Sequence, residues 1–241
     1  MKSGVPNTTL CRNAPFPCLG RDFGCVSWNS RGLFTVDPIL RDAKILELRN
    51  LCMKFCIISL QETHGDDVSV LLQSSGILRS HVFLHSGFER DGKFVGDTGG
   101  VGLLVDKGLS IKSDDGTLLP LSSTPCGLAL KFATVHVPGR CMSLRVWDSK
   151  GIKSSFVYSV HNYGFSEGDM SRIERSLKSD IESVRQNLTD SSLLLTGDFN
   201  LHPEDEPKVK VDCPQVPGTF FCPSGPLAAR WEKIFDLLVE I

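Results

Sequence analysis

Apolar positions along this chain fall into short runs separated by turn-forming clusters, and in a few stretches they switch to a helical period. Cys25-Val-Ser-Trp28 is a short run ended by Asn29-Ser-Arg-Gly32. Phe55 to Leu60 is almost continuously apolar and leads into Gln61-Glu-Thr63. Gly100 to Val105 is a third run, and Ser192 to Thr196 a fourth that ends in Gly197-Asp-Phe-Asn200. Runs of this length and character predict buried strands. Gly127 to Val137, Cys141 to Trp147 and Ser155 to His161 predict three successive strands, with turns at Pro138-Gly139 and near Lys150-Gly151. His81 to Phe88 predicts a strand of imperfect alternation. Glu89 to Gly99 is a polar, Gly-rich loop, and residues 108–121 suit a weak hairpin.

The helical period is clearest after residue 166. Met170, Ile173, Leu177, Ile181, Val184 and Leu188 step by three or four with charges opposite, and Ser166 with Asp169 supplies a capping-box start. Asp37-Pro38 opens a second helix running to about Lys54, with Asp37 as N-cap and Pro38 in the first turn. Its apolar residues fall on more than one face, which predicts a well-buried helix. Asp66 to about Leu78 is helical, a Pro-rich loop runs from Pro203 to Pro226, and a short helix covers about Ala228 to Glu240. Strand–helix–strand units beside antiparallel runs predict α/β with mixed sheets.

The chain has 241 residues, 41% of them apolar and 22% charged, enough to build a core and too apolar for wholesale disorder. A net charge of −2 excludes a globally basic nucleic-acid wrapper, though not a local basic groove. No apolar run approaches the roughly 18 residues that span a bilayer, so no membrane anchor is expected. The nine cysteines show no disulfide framework, and several sit inside apolar runs as small hydrophobes, which predicts reduced thiols and a nuclear or cytoplasmic setting. Cys52 and Cys56 lack a complementary second pair, so zinc is not expected. Residues 1–22, with Pro6, Pro15 and Pro17, are expected to be a disordered leader before one domain over 23–241.

Three polar clusters follow buried strands: Asn29, then Glu62, then Asp198 with Asn200. In open α/β sheets ligands bind beyond the carboxyl ends of strands, so the three clusters can converge in space. Carboxylates and amides suit a hard cation such as Mg²⁺, which needs few protein ligands when a phosphate supplies the rest. Singly, each cluster reads more simply as an ordinary turn former, and it is the three together, each after a buried strand, that point to a site.

Trp28-Asn-Ser-Arg-Gly32, Leu60-Gln-Glu-Thr63, Gly99-Gly-Val-Gly102 and Gly197-Asp-Phe-Asn200 stand in the order and approximate spacing of the endonuclease/exonuclease/phosphatase family. From about Phe23 to the end the sequence resembles that family, and most of all the endonuclease domain of LINE-type (non-LTR) retrotransposons. The Trp-Asn-x-Arg-Gly form, Phe156-Val-Tyr-Ser-Val-His-Asn162 and the closing Arg230-Trp231 helix carry this finer likeness. The resemblance implies a four-layer α/β sandwich with two mixed sheets flanked by helices, and Mg²⁺- or Mn²⁺-dependent cleavage of a phosphodiester. It implies DNA as the substrate, nicked to leave a 3′-hydroxyl, and a reverse transcriptase domain alongside in a longer polyprotein.

Carried over residue by residue, Glu62 would hold the metal together with Asn29, Asn29 and Asn200 would orient the metal site and the phosphate, and Asp198 would position or deprotonate the attacking water. Tyr158 falls where the family has a tyrosine on the phosphate. His161 is the rival donor, with a satisfied strand-end histidine as its expected role. Arg31 stands near a metal-binding Asp of abasic-site endonucleases, and an Arg binds phosphate rather than metal. No Asp-His dipeptide occurs, so the family's closing Ser-Asp-His is missing. The expectation is a sandwich lacking its last strands, truncated at the C-terminus, with an inactive remnant, an RNA nuclease or a phosphoinositide phosphatase as the alternatives to a DNA-nicking enzyme.

Overall fold

Cys25–Asn29 (β1) and Ile57–Gln61 (β2) pair in parallel, with Cys25 opposite Ile57 and Asn29 opposite Gln61, because Pro38–Cys52 (α1) returns the chain between them. In this computed structural model the described residues are 24–35, 37–64, 69–90, 93–94, 99–162, 164–187, 189–199, 208–213 and 216–221, with Trp231, Ile234 and Leu238. The expected leader and Asn200 lie outside them. Ser69–Ser75 (α2) and a 3₁₀ turn at Ile77–Arg79 lead to His81–Ser86 (β3). Glu89–Arg90 (β4) and Lys93–Phe94 (β5) form a small ribbon before Val101–Asp106 (β6). The first sheet runs β1-β2-β6-β3 and is mixed, since β6 is antiparallel to both neighbours.

The second sheet begins with Ser110–Lys112 (β7) and Leu118–Pro120 (β8). After Cys126–Ala129 (α3) and Thr134–Val137 (β9) come Cys141–Trp147 (β10), Ser154–His161 (β11), Glu167–Arg185 (α4) and Ser191–Asp198 (β12). Its order is β12-β11-β10-β7-β8, with β9 also on β10. β11 and β12 are parallel across α4, and the remaining pairs are antiparallel. Lys208–Cys213 (β13) and Val216–Phe221 (β14) make a separate antiparallel hairpin.

Three buried clusters define the layers. Ile57, Leu84, Leu103 and Val105 of the first sheet meet Met142, Leu144, Val146 and Val157 of the second. Trp28, Ile58, Leu60 and Leu104, on the other face of the first sheet, meet Leu48 and Leu51 of α1. Phe156, Tyr158 and Val160, on the other face of the second, meet Met170, Ile173 and Leu177 of α4. The result is the expected helix–sheet–sheet–helix sandwich. It follows from period-2 strands whose two faces are both covered.

Both predicted N-caps are present. The Asp37 carboxylate accepts from the amides of Ile39 and Leu40 at 2.9 and 3.3 Å. Ser166 and Asp169 form the reciprocal capping box of α4. Five expectations change. The Glu89–Gly99 stretch, expected as a loop, carries the β4–β5 ribbon. α1 is not well buried: Leu48 and Leu51 are covered, but Ile39, Leu40, Leu46 and Met53 are exposed, so its second apolar face looks outward. Gly127 to Val137 is a strand only from Thr134. Pro125 accepts at its carbonyl from the amides of Leu128 and Ala129 and starts a short helix, which a brief apolar run does not distinguish from strand. The Pro203–Pro226 loop contains β13 and β14, where Val, Thr and Phe outweigh the prolines, and Pro217 is tolerated in a ribbon that has two strands among the described residues. Finally, most of β12 is half-buried, because among the described residues it is the outer strand of its sheet. Leu188, expected to extend the α4 stripe, lies outside the described residues. No helix among the described residues is long and apolar enough to cross a membrane.

Two histidines packed inside this frame are His85, half-buried, and His136, buried. His85 bonds Thr63 through Nε2 at 2.8 Å and stacks on Phe83. His136 bonds Ser143 at 2.8 Å and stacks on Tyr158. Burial pushes both down to about 4, with Arg172 adding to the effect at His136. Folded-state values below the ordinary one mean that the unfolded chain takes up the protons first. Stability is therefore full above about pH 6.5 and falls toward pH 4, by on the order of 2 kcal/mol per histidine. Urea midpoints measured from pH 7 to 4 should decline, and His136→Gln should decline less steeply. Equal slopes in both proteins would contradict this.

Candidate active site

Each of the two sheets delivers polar side chains to the same end of the sandwich. β1 ends in Asn29 and β2 in Gln61, so the residue after β2, Glu62, emerges beside Asn29. The parallel pairing continues past both strands: Ser30 N donates to Gln61 O at 2.9 Å, Gly32 N to Glu62 O at 2.6 Å and Phe34 N to Thr63 O at 3.0 Å. On the other side, Thr63 N and His64 N donate to Gly100 O and Gly99 O. Held between these loops, Glu62 and His64 take φ of 50° and 49°, and Arg31 takes 46°. Non-glycine residues in this left-handed region store strain, which surrounding contacts must over-determine.

The second sheet brings His161 and Asp198, directly opposite each other in the β11–β12 register. Strand alternation decides which β11 side chains reach the site. Ser159 and His161 point toward the first sheet, whereas Tyr158 and Val160 point toward α4. The structure therefore does not bring Tyr158 to the cluster. Its hydroxyl donates to Asp180 Oδ2 at 2.5 Å and lies 2.9 Å from Ser176 Oγ, and burial with the Asp180 carboxylate pushes the phenol up. His161, expected as a satisfied strand-end residue, occupies the site instead.

The cluster is tight. The Asn29 amide nitrogen donates to Glu62 Oε1 at 2.9 Å and to Asp198 Oδ2 at 2.5 Å, while its oxygen accepts from Arg31 N at 3.0 Å. His161 Nε2 lies 3.4 Å from Glu62 Oε1, and His64 Nε2 lies 3.9 Å from Glu62 Oε2. The His161 imidazole, followed by the Asn29 amide and then the charge of His64, holds the Glu62 carboxyl down to about 2 against partial burial. One donor atom each from Glu62, His161 and Asp198 lies within 4.8 Å of the others. Two carboxylates drawn together by one amide and faced by an imidazole are a donor set that fits a divalent cation.

Beneath the cluster, Ser59 Oγ donates to Ser159 Oγ at 2.8 Å. Gln61 Nε2 donates to the same two hydroxyls at 2.7 and 3.3 Å, and Ser27 Oγ donates to Gln61 Oε1. Gln61 and Ser159 were not candidates from sequence. A buried polar residue inside an apolar strand was the available signal. Arg31 is exposed at the rim, and Lys44 Nζ donates to the carbonyls of Arg31 and Gly32 at 2.6 and 2.8 Å.

A model of the Endonuclease/Exonuclease/phosphatase family matches residues 26–227. No curated protein matches the sequence. Among solved structures, the AP endonuclease LMAP from Leishmania major is similar over 89% of this chain and 66% of its own, at 15% identity and a TM-score of 0.56. TDP2 from D. rerio, complexed with a single strand DNA product, is similar over 74% of this chain and 60% of its own, at 15% identity and a TM-score of 0.42. An AP endonuclease from Archaeoglobus fulgidus is similar over 88% and 70%, at 13% identity and a TM-score of 0.43. The Leishmania likeness shows a shared fold. This chain spans less than two thirds of the length of that protein and of TDP2.

Gly197 tests how tightly Asp198 is placed. A Cβ there would collide with the Val160 carbonyl oxygen, with the Val160 carbonyl carbon 2.8 Å away. Because the obstacle is backbone, no rotamer change relieves it. Gly197→Ala should destabilise by about 1–3 kcal/mol by pushing β12 from β11. It should also separate Asp198 from His161. An unchanged urea midpoint would show that the strands yield freely.

Proposed function

The chain belongs to the endonuclease/exonuclease/phosphatase family, and we propose that it is a metal-dependent phosphodiester hydrolase that nicks DNA, of the kind carried by LINE-type retrotransposons. The observation that carries the chemistry is the meeting of Glu62 and Asp198 under the shared Asn29 amide. Nucleases of this family generally use a divalent metal, and the Glu62–His161–Asp198 donor set suits one. Glu62 and Asp198 would hold it. A divalent ion in such a site neutralises charge on the phosphate oxygens and lowers the pKa of a bound water.

The chain's own residues supply the remaining work. Glu62 stays ionised because His161 and Asn29 hold its carboxylate. Asn29 fixes the spacing of the two acids. Asp198, anchored on β12 and tied to the Asn29 amide, is placed to position the attacking water. Asn200, two residues on, is assigned to the phosphate from the Gly197-Asp-Phe-Asn200 motif. Arg31 at the rim is suited to a neighbouring phosphate of the strand. DNA as substrate is supported by the motif order, and the retrotransposon setting by the Trp28-Asn-Ser-Arg-Gly32 form and the Phe156–Asn162 stretch.

Purified protein should convert supercoiled plasmid to the nicked form when Mg²⁺ or Mn²⁺ is supplied and not in EDTA. Glu62→Gln and Asp198→Asn should each lower the rate by about 100-fold or more. RNA and inositol phosphates run in parallel set the substrate class. Metal-dependent nicking that survives in both variants would refute the assignment of the site, and cleavage confined to RNA or inositol phosphates would refute the DNA reading.

A further inference from the structure

The His161 imidazole is the feature of the cluster that a site for Mg²⁺ does not require. Mg²⁺ takes oxygen ligands and keeps much of its water, so carboxylates and amides satisfy it without nitrogen. Here a buried imidazole, with 6% of its side chain exposed, directs Nε2 at Glu62 Oε1. Their separation of 3.4 Å lets the imidazole hold Glu62 ionised without a metal but is longer than the roughly 2.8 Å of a tight charge-assisted hydrogen bond. It falls in the range of two donors sharing one ion at about 2.1 Å each. The position of His161 is fixed from three directions: it lies opposite Asp198 in the β11–β12 ladder, its amide donates to Arg140 O at 2.7 Å, and Gly197 lets the two strands approach closely beside it.

We infer that His161 is a nitrogen ligand, and that Glu62, His161 and Asp198 together form a site selective for first-row transition ions such as Mn²⁺ over Mg²⁺. Imidazole beside carboxylates raises affinity for ions that accept nitrogen and does little for Mg²⁺. Three protein donors would leave an ion's remaining positions open to water and phosphate oxygens, as a hydrolytic centre requires. The inference rests on the proposed hydrolase reading and specifies its cofactor. His64, 3.9 Å from the other Glu62 oxygen, is the rival nitrogen donor.

Mn²⁺ alone is the probe. Electron spin echo spectra of Mn²⁺ added to the full chain should contain the nitrogen coupling of a bound imidazole. The coupling should disappear in His161→Asn and persist in His64→Gln. Titration should give Mn²⁺ affinity lowered about tenfold or more in His161→Asn, with Mg²⁺ affinity nearly unchanged. Circular dichroism of each variant reports whether it is folded, and the wild-type spectrum alone keeps the inference falsifiable if one is not. Bound Mn²⁺ without nitrogen coupling, coupling lost in His64→Gln instead, or equal affinity for Mg²⁺ and Mn²⁺ overturns the ligand assignment while leaving metal-dependent nicking intact. Failure of the wild type to bind either ion overturns the hydrolase reading as well.

Discussion

A short polar seam between the two sheets fixes where everything else can meet. Most of the inter-sheet layer is aliphatic, and aliphatic surfaces slide with little penalty. At one end Ser59, Gln61 and Ser159 replace that slippery contact with directional bonds between fully buried groups. Each bond is worth about 1 kcal/mol net, but a slip that orphaned these groups would cost more than the bonds contribute. The seam thus selects one register of sheet on sheet. In that register Asn29 and Glu62 of the first sheet face His161 and Asp198 of the second.

Holding those groups together works against two local preferences. Glu62 is kept in the left-handed region, where a long side chain is disfavoured, by the zipper from Ser30 to Phe34 on one side and the Gly99–Gly100 backbone on the other. Two carboxylates are also drawn into one small volume, which like charges resist. The Asn29 amide bridges them and the imidazoles of His161 and His64 offset the charge. Strain and charge concentrated at one point of an otherwise regular sandwich is the signature of a site shaped by function rather than by stability.

Strand parity explains the exchange of roles between Tyr158 and His161. Residues three apart on a strand face opposite ways, so only one of the two can belong to the site. Tyr158 faces α4, where it completes a buried polar set with Ser176 and Asp180. The same argument separates Ser159, which locks the sheets, from Val160, which packs beneath the helix.

Much of this architecture was legible in the sequence. The short apolar runs gave the strands of both sheets, the capping box and the 3.6-residue period gave α4, and the Asp37-Pro38 start gave α1. Asn29, Glu62 and Asp198 were marked by polar residues abruptly ending apolar strands. These are local signals, set by neighbouring residues along the chain. The outward apolar face of α1, the helical turn after Pro125 and the half-burial of β12 were not legible, because each depends on which surface another element covers. Nor could the text choose His161 over Tyr158, or reveal that Gln61 and Ser159 join the sheets. Those facts arise from contacts between residues 98 to 169 apart in sequence, and only the packing of one sheet on the other brings such groups within bonding distance.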